Sequence, residues 1–357
     1  WVIIGADVRN LVHAFHEGNI SLESINTSYI TLIPKNSAPL TSSDFRPISL
    51  LNGVLKIITK LLANRLQKVI LQMIHINQYG FLKGRVMQDC LGWSYEYIHQ
   101  CYKSREELLV LKLDFEKAFD TIEHQAIIDI LRAKGFGHKW ISWIEIIFNS
   151  ASTAVMLNGV PGKKIYCRRG VPQGDPLSPL LFVIAADLVQ SVINKAMGMG
   201  LLHAPLQVNS CTDFPIVQYA DDTLLIIQAD EVQLLALKQM LLAFSKSTGL
   251  KVNFQKSCIL PINVSQEETN RFAAIFGCQV GSLTFTYLGL PMGTTKPRVQ
   301  DLVPVVDRVE RRLSASSSLL SQGDRLQLLV SVLTSLPIYF LYSLSLPTAI
   351  INQLERI

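Results

Sequence analysis

Between Ile216 and Ile227 two apolar, β-rich runs are interrupted by a pair of adjacent acids, Asp221 and Asp222, following Tyr219 and Ala220. A polar break between two such runs predicts antiparallel strands joined by a tight turn, with both carboxylates at its tip. Neighbouring carboxylates oppose each other's ionisation, so their placement at a turn has a physical reason if a divalent cation neutralises them. Asp is also an ordinary turn residue, and the pair alone leaves both readings open.

With 357 residues, 49% of them apolar, the chain can bury one large or two to three ordinary domains. Its net charge of +5 is modest but unevenly spread. No acid lies between Asp44 and Asp89, a stretch holding Arg46, Lys56, Lys60, Arg65, Lys68, Lys83 and Arg85. A second acid-free stretch, from Glu145 to Asp175, holds Lys163, Lys164, Arg168 and Arg169. Patches of one sign attract polyanions such as a phosphate backbone; scattered solubilising charge on helix faces is the plainer alternative. The cysteines (Cys90, Cys101, Cys167, Cys211, Cys258, Cys278) show no metal-site spacing and no paired histidine, which points to reduced core residues of an intracellular protein. The chain opens on Trp1 without a signal peptide and reads as an internal fragment. The uncharged stretch from Leu326 to Leu354 is interrupted by Pro337 and Pro347 and diluted by polar residues, which favours packed helices over a membrane span.

Residues 8–15 carry a helical pattern, 27–33 alternate like a strand, and 34–43 read as a loop. Over 50–74, Leu51, Leu55, Ile58, Leu62, Leu66 and Val69 recur at helical steps with Lys56, Lys60, Asn64 and Lys68 opposite, an amphipathic helix with a basic face. The run 107–115 suits a central strand and 116–131 turns helical, so a strand delivers Asp114 at its carboxyl end. Residues 154–157 and 164–167 predict a hairpin around Asn158-Gly159. A Gly/Pro-rich loop, 170–179, leads into an apolar helix over 180–196. After the Asp-Asp turn come a helix (231–247), a short strand (250–254), a helix (264–276), a strand (285–291) and a mostly helical remainder from Lys296. The order predicts an α+β sheet with helices on one face.

If the strand at 108–115 lies beside the hairpin, Asp114, Asp221 and Asp222 converge at one end of a sheet. Three carboxylates there can hold two Mg²⁺ about 4 Å apart, an arrangement that stabilises both oxygens of a phosphoryl displacement. Mg²⁺ needs few protein ligands when substrate phosphates complete its shell. Asp114 alone fits a helix N-cap before Glu116 and Lys117 equally well.

The segments Leu113-Asp114-Phe115-Glu116-Lys117-Ala118-Phe119-Asp120, Arg169-Gly170-Val171-Pro172-Gln173-Gly174-Asp175-Pro176-Leu177-Ser178-Pro179 and Tyr219-Ala220-Asp221-Asp222 resemble the ordered palm motifs of reverse transcriptases. Gly249 to Ser257 and Tyr287-Leu288-Gly289-Leu290-Pro291 match the two later motifs. Leu32-Ile33-Pro34-Lys35, Asp44-Phe45-Arg46-Pro47-Ile48-Ser49-Leu50 and Gly80-Phe81-Leu82-Lys83-Gly84-Arg85 match the finger motifs. More narrowly, the lettering is similar to plant non-LTR retrotransposons of the long interspersed element type.

The resemblance implies a right-hand polymerase: an antiparallel palm sheet with helices on one face, fingers, and a partial helical thumb. It divides the chain into an N-terminal segment and fingers (1–107), a palm (108–293, with part of the fingers about 136–170) and the start of a truncated thumb (294–357), the reverse transcriptase domain spanning about 28–293. It implies RNA-directed DNA polymerase activity with two Mg²⁺, or Mn²⁺ as a substitute, on an RNA template, a DNA primer or RNA–DNA hybrid, and dNTPs. Neither a membrane nor a protein partner is indicated. Nuclear and cytoplasmic ribonucleoprotein residence is a family expectation only.

By the same resemblance Asp114, Asp221 and Asp222 are the metal-binding carboxylates, with the carbonyl of Phe115 as an extra ligand. Lys256 protonates departing pyrophosphate as a general acid. Lys35 and Arg46 grip the triphosphate, for which a point charge and a bidentate fork are both suited. Phe119 screens the sugar 2′ position, and Gln173, Gly174 and Tyr219 border the nucleotide, the bare Gly174 permitting close approach. Lys56, Lys60, Arg65, Lys83, Gly84 and Arg85 lie along the template, Tyr287, Leu288 and Gly289 grip the primer, and Arg308, Arg311, Arg312 and Arg325 line a thumb helix. Taken singly, each has an ordinary alternative as a core aromatic, a turn or a solvated cation. Val171-Pro172 departs from the Leu-Arg common in its loop, and residues 313–319 lack a frequent Trp and basic residue; both changes bear on activity, not on the carboxylates. The rival reading is an inactive retroelement remnant that only binds RNA. An intron maturase would need a further domain.

Overall fold

The structure is a computed structural model and describes residues 1–41, 44–206, 213–314, 320–333 and 336–356. Cys211 and residues 315–319 of the thumb segment fall outside them. The chain opens with α1 (Gly5–Glu17), β1 (Thr27–Pro34), β2 (Phe45–Leu50), α2 (Gly53–Leu66) and α3 (Met87–Ser104). Next come β3 (Leu108–Leu113), the short α4 (Ala118–Thr121), α5 (His124–Ala133), α6 (His138–Ser150), β4 (Ser152–Leu157), β5 (Val160–Pro161) and β6 (Ile165–Tyr166). They are followed by α7 (Ser178–Ala186), α8 (Leu188–Gly198), β7 (Ile216–Tyr219), β8 (Asp222–Gln228), α9 (Glu231–Thr248), β9 (Cys258–Ile262), α10 (Gln266–Phe276), β10 (Gln279–Val280), β11 (Phe285–Tyr287) and β12 (Leu290–Met292). The last helices are α11 (Val299–Ser314), α12 (Gln322–Leu333), α13 (Leu336–Ser343) and α14 (Thr348–Arg356).

The main sheet has the order β10-β9-β3-β8-β7, with β3 antiparallel to both neighbours and β7–β8 a hairpin. Alternation along β3 divides its side chains between two cores. Leu109, Leu111 and Leu113 pack with the helices α5, α7, α8, α9 and α10. Leu108 and Val110 pack on the opposite face with α3, the β11–β12 hairpin and helices α11, α13 and α14. That second covering explains why β8 reads as an unbroken apolar run: Thr223 to Ile227 are all buried. A second sheet, β2-β1-β4-β5 with β6 also on β4, combines an antiparallel β1–β2 pair with a parallel β1–β4 pair.

Several elements differ from the sequence expectation. The helix expected over 116–131 is two helices, because the backbone of Glu123 bonds instead to Thr248 (2.9 Å) and bridges to Arg169. The helix expected over 180–196 is present as α7 and α8, joined at Asp187 with helical dihedrals (φ −61°, ψ −21°). The strand expected at 250–254 is a single bridge from Val252 to Phe115, and the third strand beside β3 is β9. The strand expected at 285–291 is a two-residue hairpin turning at Leu288 (φ 48°) and Gly289 (φ 81°), the two positive values of a type I′ turn.

Candidate active site at the Asp-Asp turn

Tyr219 pairs with Asp222 across β7 and β8, so Ala220 and Asp221 form a two-residue turn. Ala220 takes a φ of 58° while Asp221 stays negative, the pattern of a type II′ hairpin. An alanine there stores strain that the surroundings must hold. Leu113 pairs with Thr223 across β3 and β8, which sets Asp114 one position on, facing Asp222 from the neighbouring strand. Directly opposed residues of an antiparallel pair share a face. By alternation this is the face of Val110 and Leu224, where the β11–β12 hairpin packs. The backbone of Asp114 is fixed from the other side: its N–H donates to Ser257 Oγ (3.1 Å) and its carbonyl accepts from Asn253 N–H (2.7 Å).

All three carboxylates touch solvent. Burial nonetheless raises the pKa of Asp221, with repulsion from Asp114 adding to it. Asp222 is raised by burial, then by Asp221 and Asp114, against the opposing pull of Lys112. Exposure and desolvation coexist because each carboxylate meets solvent on one side while neighbouring protein crowds it on the other. The donors are hard carboxylate oxygens, few in number and open on one side, which suits Mg²⁺ with water or phosphate oxygens completing its shell. Among the described residues no three His, Cys, Asp or Glu side chains are gathered around one point.

The remaining candidates lie on elements of both sheets and the connections between them. Strand alternation puts Lys35 and Arg46 on one face of the β1–β2 pair, Ile33 pairing with Arg46 and Lys35 N–H reaching Asp44 O (2.7 Å), and both residues are exposed. Phe119 is half-buried, stacked on Phe182 (4.6 Å between ring centroids) with the edge of Phe81 at 6.3 Å. The ring of Phe115 is buried against Phe244, leaving only its backbone to serve the cleft. Gln173 accepts from Ser49 N–H (3.2 Å), which docks the loop onto β2; Gly174 has a φ of 104°, and a Cβ there would meet Ser49 O at 3.4 Å. Tyr219 is half-buried at the turn. Lys256 is exposed in the turn that holds Asp114. A cavity of about 330 Å³, lined by Phe119, Gln173, Pro47, Ser49, Ala151 and Asp175, lies between the second sheet and the helices behind it.

Some sequence expectations need correction. Arg85 is not free for a template: its guanidinium turns inward onto the carbonyls of Ile74, His75 and Gln78. Tyr287 is 1% exposed, its hydroxyl beneath the carbonyl of Asp222 (3.4 Å), so its side chain supports the floor and cannot touch a primer. Leu288 and Gly289, at the tip of that hairpin, are the more accessible. Arg65 sets its guanidinium 5.7 Å from the Trp143 ring, a cation–π contact. Lys56, Lys60, Lys83, Gly84, Arg308, Arg311 and Arg325 remain exposed. Sequence reasoning missed Ser257, and also Lys112, which shares the face of Asp222. It passed over Gln78, although Gln78-Tyr79 stands just before the finger motif at Gly80.

Residues 33–292 match the family model described as reverse transcriptase (RNA-dependent DNA polymerase). The chain is 30% identical to the transposon TX1 149 kDa protein of Xenopus laevis over 72% of its own length and 19% of that protein. It is 29% identical to the Pol polyprotein of the type-1 retrotransposable element R2 of Popillia japonica, over 66% of its own length and 32% of that protein. It therefore spans a third or less of these relatives. Among solved structures it matches telomerase of Candida tropicalis in complex with a fragment of telomeric RNA, with a TM-score of 0.51 and 13% identity over 89% of this chain and 54% of that one. That likeness is one of fold, the right-hand polymerase architecture. With its matched region covering most of the chain, the protein belongs to the reverse transcriptase family and carries the reverse transcriptase domain of non-LTR retrotransposons of the R2, jockey and TX1 types.

Proposed function

We propose that this chain is the RNA-directed DNA polymerase portion of a non-LTR retrotransposon, of the plant long interspersed element type that its motif lettering resembles. The observation that carries the reading is the register of β3 against β8, which brings Asp114 opposite Asp222 beside the Asp221 turn. Asp114, Asp221 and Asp222 hold two Mg²⁺, or Mn²⁺ in its stead. Bound there, the ions supply charge stabilisation to the attacking and leaving oxygens of a phosphoryl displacement. The substrates are an RNA template, a DNA primer and dNTPs, and the bond formed joins the primer 3′-hydroxyl to the α-phosphate as pyrophosphate leaves.

The chain's own residues orient and neutralise these groups. Lys35 and Arg46, on one strand face, bind the triphosphate. Phe119, wedged by Phe182 and Phe81, screens the sugar 2′ position, and Gln173 with Gly174 borders the base pair. Lys256 donates a proton to pyrophosphate. Lys56, Lys60 and Lys83 meet backbone phosphates without reading sequence. The palm comprises about 108–293, the fingers 1–107 with about 136–170, and the thumb begins at 294. Nuclear and cytoplasmic ribonucleoprotein residence belongs to the same proposal.

Primer extension on poly(rA)–oligo(dT) with Mg²⁺ tests the reading. Asp221→Asn is expected to lower extension at least about 10³-fold, a loss of several kcal/mol of charge stabilisation, while RNA affinity stays the same or rises. A parent chain that binds RNA tightly and extends no primer with Mg²⁺ or Mn²⁺ overturns it in favour of a binding-only remnant.

A further inference from the structure

The Asp-Asp turn does not stand alone at the sheet edge. Residues 77–80 run beside β7: Gln218 N–H donates to Asn77 O (2.9 Å), Tyr79 N–H donates to Gln218 O (2.8 Å), and Gln78 and Gln218 form a parallel bridge. Gln78 is 1% exposed. Its Oε1 accepts the N–H of Gly80 (2.9 Å) and of Ala220 (3.0 Å), and its Nε2 donates to Ala220 O (3.4 Å). One side-chain amide thus holds both backbone groups of the residue preceding Asp221, the one at positive φ.

The neighbours of Gln78 are built around that grip. A Cβ on Gly80 would lie 2.3 Å from Ala220 N, so only glycine lets the segment approach this closely. Arg85 closes the loop from behind through the carbonyls of Ile74, His75 and Gln78. Gln67 at the end of α2 ties in the far side, donating to Phe81 O (3.0 Å) and accepting from Lys83 N–H (3.3 Å). Residues 78–85 are thus held by side-chain hydrogen bonds both at the turn bearing the carboxylates and at the end of α2.

We propose that Gln78 is a positioning residue for divalent-cation binding: its amide holds Ala220 in its strained conformation and thereby keeps Asp221 and Asp222 at the turn that the β3–β8 register sets beside Asp114. Gln78 touches no reacting atom and acts through the turn. The inference rests on the polymerase reading for its use in catalysis, but the metal site it tunes is measurable without substrates.

The test is Mn²⁺ binding to the full chain, followed by electron paramagnetic resonance without template or dNTP, in the parent, Gln78→Leu, Gly80→Ala and the double variant Gln78→Leu/Ala220→Gly. Partners that orient metal ligands typically contribute about 10–100-fold in metal affinity, so Gln78→Leu and Gly80→Ala are each expected to weaken Mn²⁺ binding at least about tenfold. Primer extension should then need correspondingly more Mg²⁺, with dNTP KM at saturating metal and RNA affinity within about twofold of the parent, since neither partner touches Gln78. Glycine adopts positive φ without strain, so Ala220→Gly should restore part of the lost affinity. That rescue separates positioning from general loosening of the fold. Folded Gln78→Leu with parental Mn²⁺ affinity overturns the proposal. So does failure of both single variants to fold where Asp221→Asn folds, which would make the amide a requirement of the fold and not of the site. A parent that binds Mn²⁺ in an Asp221-dependent way but extends no primer sinks the polymerase reading and leaves the clamp standing.

Discussion

The raised pKa values of Asp221 and Asp222 make the bare site a source of instability. A carboxyl whose folded pKa lies above its unfolded value contributes stability at low pH, and that contribution is lost as pH rises through the folded pKa. As pH rises through these raised pKa values both groups ionise and repel, so a divalent cation has most to offer above them. At ten times its dissociation constant, Mg²⁺ should stabilise the fold by about 1.4 kcal/mol. The gain should shrink as pH falls into the carboxylate range and vanish in Asp221→Asn; thermal unfolding with and without Mg²⁺ across that range checks both. Arg85 and Lys83 make a second residue-scale contrast. Arg85→Ala leaves three carbonyls without their donor and should lower the unfolding free energy in urea by about 2–3 kcal/mol. Lys83→Ala should leave stability alone and, in a salt titration of RNA binding, reduce the slope by about 1. Phe119→Val, tested by competing ribo- and deoxynucleotide incorporation, should relax discrimination toward ribonucleotides. The carboxylates were legible because adjacent acids between apolar runs have few explanations. Arg85 was not, because an isolated guanidinium reads the same whether it faces phosphate or the protein's own carbonyls.

Among the elements, the elements that were misread are those whose partners lie far away in sequence. Pro261 argues against a central strand, yet β9 contains it. The β10 partner extends only along Cys258 and Ile259, so at Pro261 the missing N–H faces no ladder. Pro47 is tolerated in β2 for the same reason, β2 being the edge of its sheet. Helix periodicity over 180–196 gave no sign of the tertiary partners gathered where α7 meets α8 by Asp187. Its carboxylate, 3% exposed, accepts His75 N–H (2.9 Å) and the Lys134 ammonium (3.3 Å). Asp187→Ala strands a largely buried lysine and is expected to destabilise the chain by about 3 kcal/mol, read from the shift of the urea midpoint at unchanged slope. The long helices, by contrast, are bounded by local caps. Asp230 accepts from Gln233 N–H (2.8 Å) at the start of α9 and Gly249 (φ 79°) ends it, while at the start of α10 Ser265 Oγ accepts from Glu268 N–H (3.2 Å) and donates to the Glu268 carboxylate (2.7 Å).

At the scale of the whole molecule, apolar patterning announced a mixed sheet and helix fold, but not that two cores would share one sheet. The stretch Ser178–Gly198 is long and apolar enough to cross a membrane, yet two-thirds of it is buried inside the protein. Only the fold shows it to be the spine of the larger core. The pocket beside Phe119 and Gln173 has a different consequence. It is walled by the second sheet on one side and by the loop bearing Gln173 on the other, so what fills it couples the two. Ala151→Leu, which pushes a larger side chain into that space, should raise the KM for dNTP in primer extension while the urea midpoint stays near that of the parent.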